Sequence, residues 1–417
     1  MKQSIFQALS ERSFLMLWLG EVATQIAFNL FNFFLVLHVF TLTHSNIAVA
    51  GIVLSFTLPS VLFGIVAGAY VDRWGKKRTL FFTNVSRAIL LLLLVFVHTN
   101  LFLIFLISFV VSIITQFFIP AETPMIPLAV KREHLLSANA LFGIGIYASI
   151  FIAYIASGPL LILFGKVTTL FIVAGLFLIG AIFIHFIDDQ GERKSRLVQQ
   201  GKVVVDIKNV FATVLSRKPV YQAVFLLALS QVIILIIAVI TPGYATDVLK
   251  MRVEDFPLTF IAPAAFGVLV GAALIVNLFH SMRKDILVNT GLLLAGTTML
   301  MMSYGSTIIS RALIAVVNHV VTIATITPLH ILTFLAFILG VANSMIFVPS
   351  NTTLQEETLD TSRGKVYGVL NTMVGVISFF PIVIVGGLSD IVGVGRVIAG
   401  VGGILILTGG IRFFLAR

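Results

Sequence analysis

Cysteine is absent from this 417-residue chain. Disulfides and thiolate-held metals are therefore excluded, and nothing is learned about redox compartment. Charge is scarce too: Asp, Glu, Lys and Arg make up 11% of the residues, where soluble domains carry about a quarter. No glycine-rich phosphate loop leads into Lys-Ser or Lys-Thr, which argues against an ATP-driven pump. The eight histidines show no metal-ligand spacing and no nucleophile-and-base set stands out. Neither an enzyme active site nor a metal or cofactor site is expected. A polar stretch of soluble-domain size is also missing; Asp188–Lys218, the longest, runs to about 30 residues.

What fills the chain instead is apolar. Hydrophobic residues make up 59% and the mean hydropathy is +1.11. Twelve runs are each long enough to cross a bilayer, for which roughly 20 residues are needed. Six precede the polar linker: Phe14–Val39, Ile47–Val71, Thr79–Val97, Leu101–Pro127, Leu135–Phe164 and Thr168–Ile187. Six follow it: Val220–Val248, Phe256–Phe279, Ile286–Ser303, Pro328–Ser350, Val366–Leu388 and Val397–Phe414. The expected fold is an all-α membrane protein of twelve transmembrane helices in two six-helix bundles. Residues 1–188 and 219–417 would form the bundles, joined by a linker over 189–218 in which Val203–Leu215 suits a short amphipathic helix on the membrane. Met1–Arg12 lacks a cleavage pattern, so the run after it is expected to be a retained span.

Basic residues orient the chain. With both termini in the cytoplasm, 21 of the 27 Lys and Arg fall on the cytoplasmic side. Five, namely Lys166, Lys250, Arg252, Arg311 and Arg396, fall on the other, and Arg87 lies inside the third span. That asymmetry is the positive-inside pattern. The net charge of +10 accordingly reads as topology and contact with anionic lipid rather than nucleic-acid binding. Gly305–Thr327 is moderately apolar but carries Arg311, Asn318 and His319, costly groups facing lipid. It is expected to be a long outer segment between the ninth and tenth spans.

Between the second and third spans stands Gly68-Ala69-Tyr70-Val71-Asp72-Arg73-Trp74-Gly75-Lys76-Lys77-Arg78. Its pattern, Gly-x-x-x-Asp-Arg-x-Gly-Lys-Lys-Arg in a cytoplasmic turn, resembles the motif between helices 2 and 3 of the major facilitator superfamily of secondary transporters. The resemblance covers essentially the whole chain. It implies alternating access, and an inner gate formed by Gly68, Asp72, Arg73, Gly75, Lys76, Lys77 and Arg78. Glu122, at the end of the fourth span, would accept Arg73 or Lys76, and Asp72 would cap the start of the eleventh helix. The spacing recurs: Gly386-x-x-x-Asp390-x-x-Gly393 closes the eleventh span, and Gly158-x-x-x-Ile162-x-x-Gly165 closes the fifth without the acid. Such recurrence fits three-helix repeats nested in each half. Arg363-Gly364-Lys365-Val366-Tyr367-Gly368-Val369-Leu370-Asn371 and Ala245-Thr246-Asp247-Val248-Leu249 resemble the bacterial branch containing enterobactin exporters and macrolide-efflux proteins. That resemblance implies a monomeric, multi-pass exporter of the bacterial inner membrane. Two departures accompany it: Leu101–Gln116 holds no Arg, and Gly158-Pro159 lacks the trailing glycines of drug antiporters.

Polar residues inside spans must face protein or water. In the first span Glu21, Gln25, Asn29 and Asn32 fall within an arc of roughly 80° at 100° per residue. In the fourth, Ser108, Ser112, Thr115 and Gln116 share a face in the same way. Both stripes are candidates for lining a substrate path. Glu21 is the carboxylate placed deep in an apolar run, about 10 Å from its inner end. Burial disfavours the charged carboxylate, as a residue that exchanges protons in the membrane requires; a structural pair with Arg87, at comparable depth in the third span, is the other reading. The expected function is proton-coupled efflux of an amphiphilic small molecule, of the drug or siderophore class. Uptake of a small metabolite, or a non-transporting sensor or scramblase-like role, are the alternatives.

Overall fold

Helix formation follows the apolar runs closely. The computed structural model describes residues 5–188, 217–279, 281–304, 327–358 and 363–415, and no strand occurs among them. The helices are α1 (Arg12–Thr43), α2 (Asn46–Trp74), α3 (Lys76–Val97) and α4 (Leu101–Glu122). Leu135–His185 comes next, broken at Gly165 (φ 73°, ψ 176°) into α5 (residues 135–164) and α6 (166–185). After the linker come α7 (Lys218–Gly243), α8 (Ala262–Asn277), α9 (Lys284–Tyr304), α10 (Pro328–Glu356), α11 (Arg363–Val392) and α12 (Val394–Leu415). By length and composition, eleven helical stretches among the described residues can cross a membrane. One of them, Ser137–His185, has 49 residues and the break at Gly165. At 1.5 Å per residue it is long enough to cross twice, since a bilayer core is about 30 Å thick. Twelve crossings result, as the hydropathy pattern predicts. The linker helix expected at Val203–Leu215 and most of Gly305–Thr327 lie outside the described residues.

The sequence repeat has a backbone cause. Among the described glycines, those with positive φ are Gly75 (95°), Gly165 (73°) and Gly393 (90°), the three that close the recurring Gly-x-x-x-x-x-x-Gly spacing. A residue with positive φ after the last turn ends a helix and releases the chain in a new direction, and glycine adopts it without a Cβ penalty. The repeat is thus a helix stop used three times. It also corrects one expectation: Gly68–Arg78 is not a loop. Gly68–Trp74 forms the last turns of α2, Lys76–Arg78 the first turn of α3, and the link between them is Gly75 alone.

Contacts divide the chain into two compact units, residues 1–35 with 54–206 and residues 36–53 with 207–417. The boundary therefore cuts α1 and α2 rather than falling only in the linker. In the first unit α3 packs on α4 and on the α5–α6 element, around a core that includes Phe14, Leu17, Val71, Leu80, Phe118, Met125 and Ile184. In the second, α8 packs on α10, α9 on α10 and α12, and α7 on α10 and α11. Glycines allow the closest of these approaches. A Cβ at Gly267 would lie 2.0 Å from the Phe337 carbonyl oxygen, and one at Gly340 1.9 Å from that of Ala264. Small residues at such crossings let backbones touch.

Candidate functional site

The first unit buries a polar group among apolar helices, and its placement starts from glycines. Gly20 on α1 faces Gly180 on α6: a Cβ at Gly20 would lie 3.3 Å from the Gly180 carbonyl oxygen, and one at Gly180 2.6 Å from Thr24 Oγ1. This approach admits α3 alongside. Asn84 Nδ2 donates to Thr24 Oγ1 at 2.8 Å, and Thr24 Oγ1 donates to the Gly20 carbonyl at 2.7 Å. One turn along α3 from Asn84 comes Arg87, which is 1% exposed. Its guanidinium carbon lies 4.6 Å from the ring centroid of Phe118 on α4 and 5.3 Å from that of Phe177 on α6. Ring faces attract the cation, each contributing about 0.5–2 kcal/mol.

Glu21 is also 1% exposed. Gln25 Nε2 donates to Glu21 Oε1 at 2.7 Å, and Asn29 Nδ2 donates to the Gln25 carbonyl at 2.8 Å. The charges of Glu21 and Arg87 act on each other electrostatically. Yet Glu21 Oε2, Arg87 Nε and Nη2, and Asn84 Oδ1 are buried with no hydrogen-bond partner among the described residues. A buried ion pair that served only to hold helices together would satisfy these atoms, because leaving them unpaired is costly. The arrangement is a buried acid and a buried base, each with polar atoms unpartnered among the described residues.

The two predicted stripes differ in their surroundings. Gln25, Asn29 and Asn32 on α1 are half-buried, and Asn32 Oδ1 has no partner among the described residues. On α4, Ser108, Ser112, Thr115 and Gln116 are buried. Ser108 Oγ donates to the Ile104 carbonyl, Thr115 Oγ1 to that of Val111 and Gln116 Nε2 to that of Ser112. Ser112 Oγ donates across to the Phe56 carbonyl of α2 at 2.7 Å, and a Cβ at Gly64 would sit 3.8 Å from Gln116 Oε1. The α4 stripe therefore faces α2 and carries interhelical packing.

At the α2–α3 end, Lys76 is buried and Arg78 exposed. Basic side chains at a helix start oppose its dipole. Lys77 resolves this by donating Nζ to the Ile187 carbonyl just past α6, at the end of a helix where cations are favoured. Trp74 stacks on Phe117 of α4 at 5.7 Å. Glu122 is buried, and its Oε1 has no partner among the described residues. The side chains of Asp72 and Arg73, and those of the first turn of α11, lie outside the described residues, so the predicted Glu122–Arg73 and Asp72–α11 contacts do too. Sequence reading missed Asn84, Phe118 and Phe177 as neighbours of Arg87. The i, i+3 spacing of Asn84 and Arg87 in an apolar helix was the available signal for the first. Nothing in the sequence distinguishes the two phenylalanines from the other thirty-five.

Comparison with known proteins agrees across nearly the full length. The family profile described as Major Facilitator Superfamily matches residues 17–381. An uncharacterised MFS-type transporter of Bacillus subtilis (strain 168), YfiS, is 22% identical over 376 residues, covering 90% of this chain and 86% of YfiS. Among solved structures, nucleoside transporter NupG superposes with a TM-score of 0.71 at 12% identity, covering 97% of this chain and 99% of NupG. A bacterial homologue of the iron transporter ferroportin, in an inward-facing state, gives 0.70 at 14% identity, covering 96% and 98%. At these identities the two structures speak for the fold alone.

Proposed function

This chain belongs to the major facilitator superfamily, a family of membrane transporters and not of enzymes, and on that premise we propose that it is a proton-coupled exporter working by alternating access. Its substrate is a small amphiphilic molecule, and Glu21 exchanges the proton. The observation that carries this reading is the buried Glu21 carboxyl, with Oε2 unpartnered among the described residues and Arg87 acting on it. A carboxyl held there can be charged or neutral at modest cost in either state, because Arg87 offsets the charge and Gln25 supplies one hydrogen bond. The half-buried amides of Gln25, Asn29 and Asn32 continue from Glu21 along one face of α1 and offer polar contacts to a cargo. Cytoplasmic termini are supported by the distribution of basic residues, and export across the inner membrane by the resemblance to the enterobactin and macrolide branch.

The test uses everted membrane vesicles acidified inside by respiration, with a dye reporting the pH gradient. Macrolides, lipophilic cations and catechol siderophores are added in turn. A compound that dissipates the gradient with the unmodified protein, but not with Glu21→Gln/Arg87→Met, supports the proposal. Dissipation by both proteins keeps export and removes Glu21 from the proton path. No response from either overturns proton-coupled export of these classes.

A further inference from the structure

In the second unit, the carboxylate of Asp390 makes a dense set of hydrogen bonds. It stands near the end of α11, within the Gly386-x-x-x-Asp390-x-x-Gly393 repeat. Oδ2 accepts from Ser45 Oγ at 2.6 Å and from the Ile47 N–H at 3.1 Å. Oδ1 accepts from the Asn46 N–H at 2.7 Å and from Asn46 Nδ2 at 2.9 Å. These are three consecutive residues at the start of α2, more than 340 positions away in sequence. The first N–H groups of a helix have no intrahelical acceptor. An anion placed there gains from the helix dipole and from charge-assisted bonds.

Packing is shaped to the same contact. A Cβ at Gly386, one turn before Asp390, would lie 2.7 Å from Ala50 Cβ and 2.9 Å from the Asn46 carbonyl oxygen. From α7, a Cβ at Gly243 would lie 2.5 Å from Asn46 Oδ1. Glycines on two helices thus make room for the first turn of α2. Nor does α2 need Asp390 in order to begin. Ser and Asn at its start are favourable capping residues, and Ser45 Oγ already accepts from the Ala48 N–H at 3.4 Å. The carboxylate therefore fixes where α2 sits against α11 more than whether α2 forms.

The same Gly-x-x-x-Asp spacing ends α2 itself, at Gly68 and Asp72. One end of α2 is thus held by the aspartate of this repeat in α11, while the other end carries the matching aspartate of its own. We propose that Asp390 is a positioning residue of the transport cycle, a latch between α11 and α2 at the membrane face opposite the Gly75 turn. Its four hydrogen bonds break when that end opens to substrate. This rests on the alternating-access reading, and the experiment separates the two.

Because the chain has no cysteine, introduced thiols can be labelled without background. Leu42 and Ile391 are exposed at 38% and 80%. Spin labels on Leu42→Cys, at the end of α1 three residues before Ser45, and on Ile391→Cys of α11 report the separation of the α1–α2 turn from α11 in lipid nanodiscs by double electron–electron resonance. Asp390→Ala raises the ratio of long to short separations by about tenfold, which corresponds to about 1.4 kcal/mol. Ser45→Ala removes one bond and moves the ratio less, in the same direction, which keeps the test open if Asp390→Ala folds poorly. A ratio unchanged within about twofold in folded Asp390→Ala overturns the latch, as does an unchanged ratio in Ser45→Ala if the first variant does not fold. The vesicle assay reports independently on transport. Proton-coupled transport with an unaltered distance ratio refutes the latch and leaves the transport reading standing. An altered ratio without transport does the reverse.

Discussion

Glu21 and Arg87 should respond asymmetrically to substitution. Both are buried and act on each other, but a carboxyl can become neutral by taking up a proton and a guanidinium cannot. Glu21→Gln therefore leaves a cation stranded in the first unit. Breaking a buried pair in this way costs about 3–5 kcal/mol. The rings of Phe118 and Phe177, at 4.6 and 5.3 Å from the guanidinium carbon, offset part of it, leaving roughly 2–4 kcal/mol. At about 2–4 °C per kcal/mol for a unit of this size, the melting midpoint falls by about 4–16 °C. Arg87→Met places an apolar chain of similar length against the two rings, while Glu21 sheds its charge, so the midpoint falls by only a few degrees. Glu21→Gln/Arg87→Met strands no charge and recovers most of the loss. The assay is thermal unfolding of the purified protein in detergent, followed by tryptophan emission and size exclusion. If Glu21→Gln and Arg87→Met cost the same, and the double variant costs their sum, the two residues do not sense each other. The electrostatic argument then falls.

Gly165→Ala should destabilise the protein by about 1–3 kcal/mol. Its φ of 73° with ψ of 176° is a backbone region essentially confined to glycine, and a Cβ there meets no atom within 4 Å, so the whole effect is backbone strain. Gly175→Ala, with equally open surroundings and no positive φ, should be neutral or stabilising by about 0.4–1 kcal/mol; opposite signs in one melting series check both. Gly340→Ala drives a methyl group into the Ala264 carbonyl at 1.9 Å and should cost about 1–3 kcal/mol or more, read as a lower yield of folded protein with α8 and α10 forced apart. Ser112→Ala removes a bond to the Phe56 carbonyl and should lower stability by about 1 kcal/mol with transport rate per folded molecule unchanged. Asn29→Ala, on the half-buried α1 stripe, should do the reverse, leaving the melting midpoint in place and raising the substrate concentration needed for half-maximal gradient dissipation.

The chemistry of the Glu21 region is only partly legible in the sequence. Depth along a span can be counted at a fixed rise per residue, so Glu21 and Arg87 stood out as charges inside apolar runs. Which groups surround them depends on helix rotation and crossing, which no single helix encodes. The four-residue stripe on α1 and the one on α4 look alike as periodic patterns. They part only in three dimensions, where Ser112 and Gln116 turn to α2 while Gln25, Asn29 and Asn32 stay half-buried.

The number, order and approximate ends of the spans are written in the local sequence. Each is a local property: an apolar run must be helical in lipid because its backbone polar groups have no water to bond. The three helix stops are local too, since glycine takes the positive φ found at Gly75, Gly165 and Gly393 without strain. Tertiary structure decided what no local rule reaches. It brought Asp390 to the first turn of α2 across more than 340 residues, and it set Arg87 between two phenylalanine rings. It also left one oxygen of Glu21 without a partner among the described residues. Those outcomes follow from how helices approach one another at small residues such as Gly20, Gly180 and Gly386, where the removal of a single Cβ fixes which side chains can meet.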